Sequence, residues 1–212
     1  MLGLAAIFAS NAQAQESSWG AGVDLYSNYI WRGTKYGTGP AIQPSVSFSA
    51  GGLTLGVWGS FDATGYTEVD PYLSYSFSNG LSLGMTNYYY PGYSGDGTSL
   101  FKEDANTYEI NAGYATGGLS LSANYILNEA TTAGSAGDDL YFQAEYAFKK
   151  FNILLGAGDG WHTSDGEFKV CNIGIGTGKE IKITDSFSIP VTGQVILNPE
   201  REQLYVVVGI TL

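Results

Sequence analysis

The sequence predicts an all-β fold: a transmembrane antiparallel up-and-down barrel of about twelve strands, with short periplasmic turns and longer extracellular loops. Three observations point there. Segments of alternating apolar and polar residues follow one another along the chain, tight and long connections alternate between them, and aromatic residues gather at both ends of the apolar faces.

Taken in order, Trp19, Ala21, Val23, Leu25, Tyr29 and Trp31 alternate with Gly20, Gly22, Asp24, Tyr26, Asn28 and Arg32. Period two means a strand, and the charged second face needs water or ion pairs. Ile42, Val46 and Phe48 oppose Gln43, Ser45 and Ser47, and Leu53, Leu55, Val57 and Phe61 oppose Thr54, Gly56, Trp58 and Ser60. Val69, Leu73, Tyr75 and Phe77 stand against Glu68, Asp70 and Tyr72, and Leu81, Leu83, Met85 and Tyr89 against Ser82, Gly84 and Thr86. The same rule holds from Tyr108 to Tyr114, from Leu119 to Leu127 and from Leu140 to Phe148. Asn152 to Gly158 and Phe168 to Ile183 alternate less cleanly, and a parity slip near Cys171 predicts a bulge. Phe187 to Leu197 and Leu204 to Leu212 are regular again.

The connections divide into two kinds. Ala50-Gly51-Gly52, Ser78-Asn79-Gly80, Thr116-Gly117-Gly118, Lys149-Lys150 and Thr184-Asp185-Ser186 are tight. Gly33 to Gly39, Asp62 to Gly65, Pro91 to Glu103, Glu129 to Gly137, Asp159 to Gly166 and Asn198 to Glu202 are longer and polar. An even strand number places both termini at the tight-turn end, predicted to be periplasmic. Trp19, Phe48, Tyr75, Phe77, Tyr114, Tyr146, Phe148 and Phe187 then fall at the inner rim of the apolar face. Tyr29, Trp31, Phe61, Tyr89, Tyr108, Tyr125 and Phe142 fall at the outer rim.

Composition narrows the function. Only 14% of residues are charged, with 30 Gly and 16 Tyr, and no apolar run is long enough for a spanning helix. Any membrane crossing must be made by strands. The net charge of -11 argues against nucleic acid and suits cations. Residues 1–14 read as an export signal, Leu2 to Phe8 forming the apolar core and Asn11 to Ala14 the small-x-small cleavage site, although no Lys or Arg precedes the core. A short N-terminal helix, or an artefact of start-site choice, is the other reading of that segment. Residues 15–212 form one barrel domain.

The run Asp24 to Gly33 (DLYSNYIWRG), with Pro40 to Pro44 (PAIQP), Gly56 to Ser60 (GVWGS), Glu68 to Asp70 (EVD) and Tyr88 to Gly92 (YYYPG), resembles the TorF-family porins, the Gcw_chp family. The resemblance covers most of the chain after the export signal. It implies an outer-membrane barrel of proteobacterial or Bacteroidetes type with a channel role, no named solute and no catalytic residues.

Parity places Asp24, Arg32, Glu68, Asp70, Glu109, Glu145, Glu180 and Lys182 on the inward face, as lumen or constriction candidates. Acids outnumber bases there, so an open lumen would prefer cations. A barrel of this size is a narrow pore or a plugged one. Arg32 is expected near Glu68 and Asp70, as a salt-bridged gate or as plain support of the barrel. The single His162, in Trp161-His-Thr-Ser164-Asp165, has no positioned nucleophile, so no enzyme activity is expected. No metal site or cofactor is expected, the loop acids Asp96, Glu103, Asp104, Asp138, Asp139, Asp159 and Asp165 matching no calcium register. Loop aromatics from Tyr90 to Tyr93 and Trp161 are expected to be exposed. The expected partners are outer-membrane lipids, lipopolysaccharide and the barrel assembly machinery. A non-conducting adhesin or accessory subunit of a larger outer-membrane complex is the competing function.

Overall fold

The structure, a computed structural model, describes residues 17–91, 103–131 and 133–212; the export signal at residues 1–14, Tyr93 and Asp96 lie outside them. Among the described residues sixteen strands occur in chain order. The first eight are β1 (Ser18–Tyr26), β2 (Tyr29–Trp31), β3 (Thr34–Tyr36), β4 (Ala41–Ala50), β5 (Leu53–Asp62), β6 (Thr67–Ser76), β7 (Leu81–Tyr89) and β8 (Asn106–Thr116). Then come β9 (Leu119–Ile126), β10 (Glu129–Ala130), β11 (Ser135–Ala136), β12 (Leu140–Ala147), β13 (Asn152–Gly158), β14 (Lys169–Lys182), β15 (Ser188–Asn198) and β16 (Gln203–Thr211). Twelve of them, all but β2, β3, β10 and β11, close into one antiparallel barrel in which each strand pairs with its neighbour in sequence. The barrel closes where β1 meets β16, over only three registered pairs, Asp24 with Thr211, Leu25 with Ile210 and Tyr26 with Gly209.

The barrel is apolar outside and polar inside, the reverse of a soluble barrel. Leu83, Leu155, Leu204 and Val206 are 52–66% exposed, whereas Ser74, Ser82 and Thr86, on the alternate positions, are at most 3% exposed. Only lipid can cover such an exterior without cost. Burying a lysine at mid-belt is correspondingly expensive: Val206→Lys should lower folding stability in lipid by about 2–4 kcal/mol, read from urea unfolding in vesicles. Val207→Thr, on the inward face beside it, should change far less.

The five tight turns and five of the longer connections fall at opposite ends as expected, and the sixth, Pro91 to Glu103, lies mostly outside the described residues. At the tight-turn rim, Trp19 packs on Phe48 at 5.1 Å, Tyr75 on Phe77 at 4.8 Å and Tyr146 on Phe148 at 4.7 Å. Phe61, Tyr125 and Phe142 are exposed on the outer face at the other rim. The expected bulge is present: Gly156 pairs with Asn172 and Ala157 with Val170, leaving Cys171 as the extra residue.

One expectation fails. The first segment does not run unbroken to Arg32, and Tyr29, Trp31 and Tyr89 do not face lipid but are 2%, 5% and 5% exposed. At Ser27–Asn28 the chain leaves the wall, and β2 and β3 pair as a two-residue hairpin. Alternation persists through it because a hairpin has the same period as the wall it leaves; period identifies a strand but not its sheet. Arg32 and Gly33 form the turn with φ of 48° and 82°, the double left-handed geometry of the hairpin turns that match strand twist.

Candidate functional site: a stoppered lumen

The hairpin fills the long-loop half of the lumen. Its residues Tyr29 and Trp31 join Ala41, Trp58, Tyr88 and Tyr90 in one buried cluster, against which Tyr36, Tyr66 and Trp161 pack. Trp31 meets Trp161 at 5.0 Å, Tyr88 at 5.2 Å and His162 at 5.3 Å, and Tyr29 meets Trp58 at 5.5 Å. Tilted and edge-on ring pairs of this kind contribute about 0.5–1.5 kcal/mol each beyond their burial. Tyr90 and Trp161 therefore sit in the packing of the stopper rather than on an exposed loop surface.

Arg32 stands at the tip. Nη1 donates to Oε2 of Glu109 at 2.6 Å and Nη2 to Oε1 at 2.9 Å, a two-pronged ion pair. The guanidinium lies 4.5 Å from the centre of the Trp31 ring and 4.4 Å from that of Tyr141. Glu109 also accepts the Tyr88 hydroxyl at 2.9 Å and the Asn111 amide at 2.5 Å. Its side chain is fully enclosed and that of Arg32 is 10% exposed. Burial is the largest single influence and lowers the Arg32 pKa, but the charge and hydrogen bond of Glu109, with Tyr88 and Tyr141, together outweigh it and the guanidinium is held more firmly protonated.

His162 completes the lock. Its Nε2 lies 3.4 Å from Arg32 Nη1. A guanidinium has no acceptor, so Nε2 accepts and the ring proton sits on Nδ1, which has no partner among the described residues. Burial first, and the neighbouring Arg32 second, push the His162 pKa well below the ordinary imidazole value. The ring is a neutral acceptor.

The other inward candidates are not gathered here. Glu68 accepts the hydroxyls of Tyr66 at 2.7 Å and Tyr90 at 3.0 Å, and Asp70 accepts the Tyr89 amide at 3.3 Å. Neither pairs with Arg32, because the hairpin carries the guanidinium across the lumen to β8. Asp24 accepts from Thr211 at the closing seam, and Glu145 takes the Asn152 amide at 2.8 Å in the tight-turn half. Glu180 and Lys182 do not line the lumen: beyond Gly176, β14 has no β13 partner, and both side chains are exposed on that extension. Lys182 pairs with Asp185 at 2.6 Å. Parity gives the face of a residue and not its height in the barrel. The loop acids are likewise spent locally, Asp138 on the Tyr125 hydroxyl, Asp165 on Lys169 and Asp159 on the Leu140 amide. Among the described residues, no cluster of His, Cys, Asp and Glu has metal-ligand geometry.

Sequence reasoning missed Gly33, Tyr88, Tyr141 and Trp161 as parts of the site. One signal was present: aromatics at Tyr29, Trp31 and Tyr36 flank the two residues Arg32 and Gly33, the spacing of a hairpin. Gly33 is fixed by a close approach. A Cβ there would overlap the carbonyl oxygen of Cys171, and its own carbonyl accepts from Asn198 Nδ2 at 3.1 Å. Gly33→Ala is therefore expected to unseat the hairpin and expose the Arg32 peptide bond, seen as new trypsin cleavage after Arg32 while the barrel stays folded.

A closed antiparallel barrel with a lipid-facing exterior and a stoppered polar lumen is a porin-like membrane barrel. The family model described as a bacterial protein of unknown function (Gcw_chp) matches residues 11–179, and the chain belongs to that family. No curated protein matches. Solved structures similar to it include two engineered variants of the Rh. blastica porin, each with a TM-score of 0.42 at 15% identity. In both, the likeness covers 81% of this chain and 55% of the porin, so this chain spans about half the porin's length.

Proposed function

We propose that the protein is a gated channel of the bacterial outer membrane for small solutes, closed by the β2–β3 hairpin and cation-preferring when the hairpin swings away. The observation that carries this is the seating of Arg32 on Glu109 inside a closed barrel, a lock made of one ion pair rather than a covalent or continuous-sheet barrier. Glu109 pairs with the single guanidinium, while Glu68 and Asp70 lie buried elsewhere on the inward face, and this acidic excess supports the cation preference. The long polar connections at the stopper end support a cell-surface position for that end, with both termini periplasmic after export of residues 15–212. Lipopolysaccharide and the assembly machinery are the partners this placement entails. The motifs from Asp24 to Gly33 support a place among TorF-type porins. His162 serves as an acceptor within the lock and Ser164 bonds to Glu200, which supports a non-catalytic role.

Planar-bilayer recording tests the reading. Replacing residues 28–39 by a short Gly/Ser linker should raise single-channel conductance several-fold over the native barrel, with a reversal potential favouring K⁺ over Cl⁻. Silence from both proteins, or anion selectivity, would sink it. The closed lumen itself favours a second reading, a non-conducting accessory subunit; stable co-purification of the silent barrel with an outer-membrane complex would establish that instead.

A further inference from the structure

Beneath the stopper the lumen changes character. A cavity of about 110 Å³ lies under Ile30, Trp31 and Ile196. Its walls carry six carboxamides, Asn111, Asn124, Gln143, Asn152, Asn172 and Gln194. A smaller cavity of about 40 Å³ shares Asn111, Asn124 and Gln143 with it and reaches Gly80 at the tight-turn rim. The vestibule therefore continues toward the end of the barrel that holds the termini.

Charge is absent from this wall in any available form. Among the described residues Arg32 is the one charged residue lining the larger cavity, and both prongs of its guanidinium are engaged by Glu109. A cation finds no free carboxylate there and an anion no free base. The carboxamides, by contrast, keep unused capacity. Gln143 bonds through its oxygen alone, to Tyr141, while Asn152 and Asn172 use only their nitrogens, toward Glu145 and Tyr141. Gln194, 9% exposed, has an amide nitrogen with no partner among the described residues. Free donors and free acceptors thus stand on neighbouring strands around one space. A buried amide left unpaired in this way is costly until a ligand satisfies it.

Hydroxyl groups match that array, since each donates and accepts at once. The apolar ceiling suits the carbon face of a ring that carries them. We propose that this vestibule binds an uncharged, hydroxyl-rich solute, a sugar, entering from the tight-turn end. Gln194 and Gln143 donate to it, Asn152 and Asn172 accept from it, and Trp31 covers it.

The proposal adds a solute class to the channel read above, and its test is binding, which needs no conduction. The full barrel, purified in lauryldimethylamine oxide so that no detergent headgroup competes, is titrated with glucose and with sucrose while tryptophan fluorescence is followed. A saturable change at millimolar sugar is expected, because Trp31 roofs the site. Gln194→Leu should weaken it about tenfold, the worth of a hydrogen bond lost from a buried site. Asn152→Ser, a milder change on another strand, should weaken it as well and guards against a misfolded first variant. No saturable response to either sugar, equal affinity in both variants, or equal saturation by acetamide or KCl would overturn the proposal. A full barrel that binds no sugar, while its hairpin-deleted form conducts, defeats this proposal alone; a full barrel that binds sugar, while neither form conducts, defeats only the channel.

Discussion

Arg32→Met should destabilise the barrel by about 3–5 kcal/mol and raise its open probability together, because the substitution keeps the stem and removes the charge that satisfies Glu109. The carboxylate would remain enclosed with only Tyr88 and Asn111 as donors. Uncompensated buried charge is what makes breaking such a pair expensive, and removing both charges is far cheaper. The double variant Arg32→Met with Glu109→Gln should therefore regain most of the stability lost, while keeping the raised open probability of the single variant. Urea unfolding in micelles reads the first quantity and single-channel recording the second. If Arg32→Met left both unchanged, the ion pair would be no lock. Arg32→Asn sharpens the result, since asparagine suits the left-handed turn at φ 48° better than arginine does. Its failure to hold the hairpin would assign the closure to the ion pair rather than to the turn.

Acidification should open the native channel through His162. A histidine whose folded pKa is depressed binds its proton more readily when released than when seated. The stability this contributes to the closed state is therefore fully present above about pH 6.5, the ordinary imidazole value, and is lost as pH falls below it. The loss approaches about 1.4 kcal/mol per pH unit, a tenfold shift of the closed-to-open ratio, until the seated ring itself takes a proton. The groups facing the ring are Arg32, held by Glu109, and the uncharged rings of Trp31, Trp161 and Tyr141. Among the described residues no carboxylate bonds to it to offset a second positive charge beside the guanidinium. Recordings from pH 7.5 to 5 should show open probability climbing in the native barrel, with a flatter profile in His162→Gln. Parallel profiles in the two proteins would assign the acid response to the carboxylates of Glu68 and Asp70 instead.

Much of this was legible in the chain. The strand faces, the closure number, the two ends and the Cys171 bulge all follow from period-two patterning and turn residues, which are local signals. The inward position of Glu109 was also legible, but its partner was not. Arg32 finds Glu109 across 77 residues of sequence only because the hairpin leaves the wall at Ser27. Nothing in the alternation from Trp19 to Arg32 distinguishes a strand that continues from one that folds inward, since both have period two. Depth was equally silent: Glu180 and Glu145 share a parity with Glu109 yet lie at other levels, set by strand stagger rather than by sequence order.

The stopper is joined to the wall at both ends, by Tyr26 on β1 and Ala41 on β4. It is thus a tethered blocker, and its local concentration at its own seat is fixed by residues 27–40 at the millimolar level typical of short links. Dilution cannot remove it, and no partner need return it. In the proposed channel every opening would be a race against an intramolecular rebinding step, so its expected signature is brief flicker rather than long open dwell times, with open time lengthening only as the seat itself is weakened.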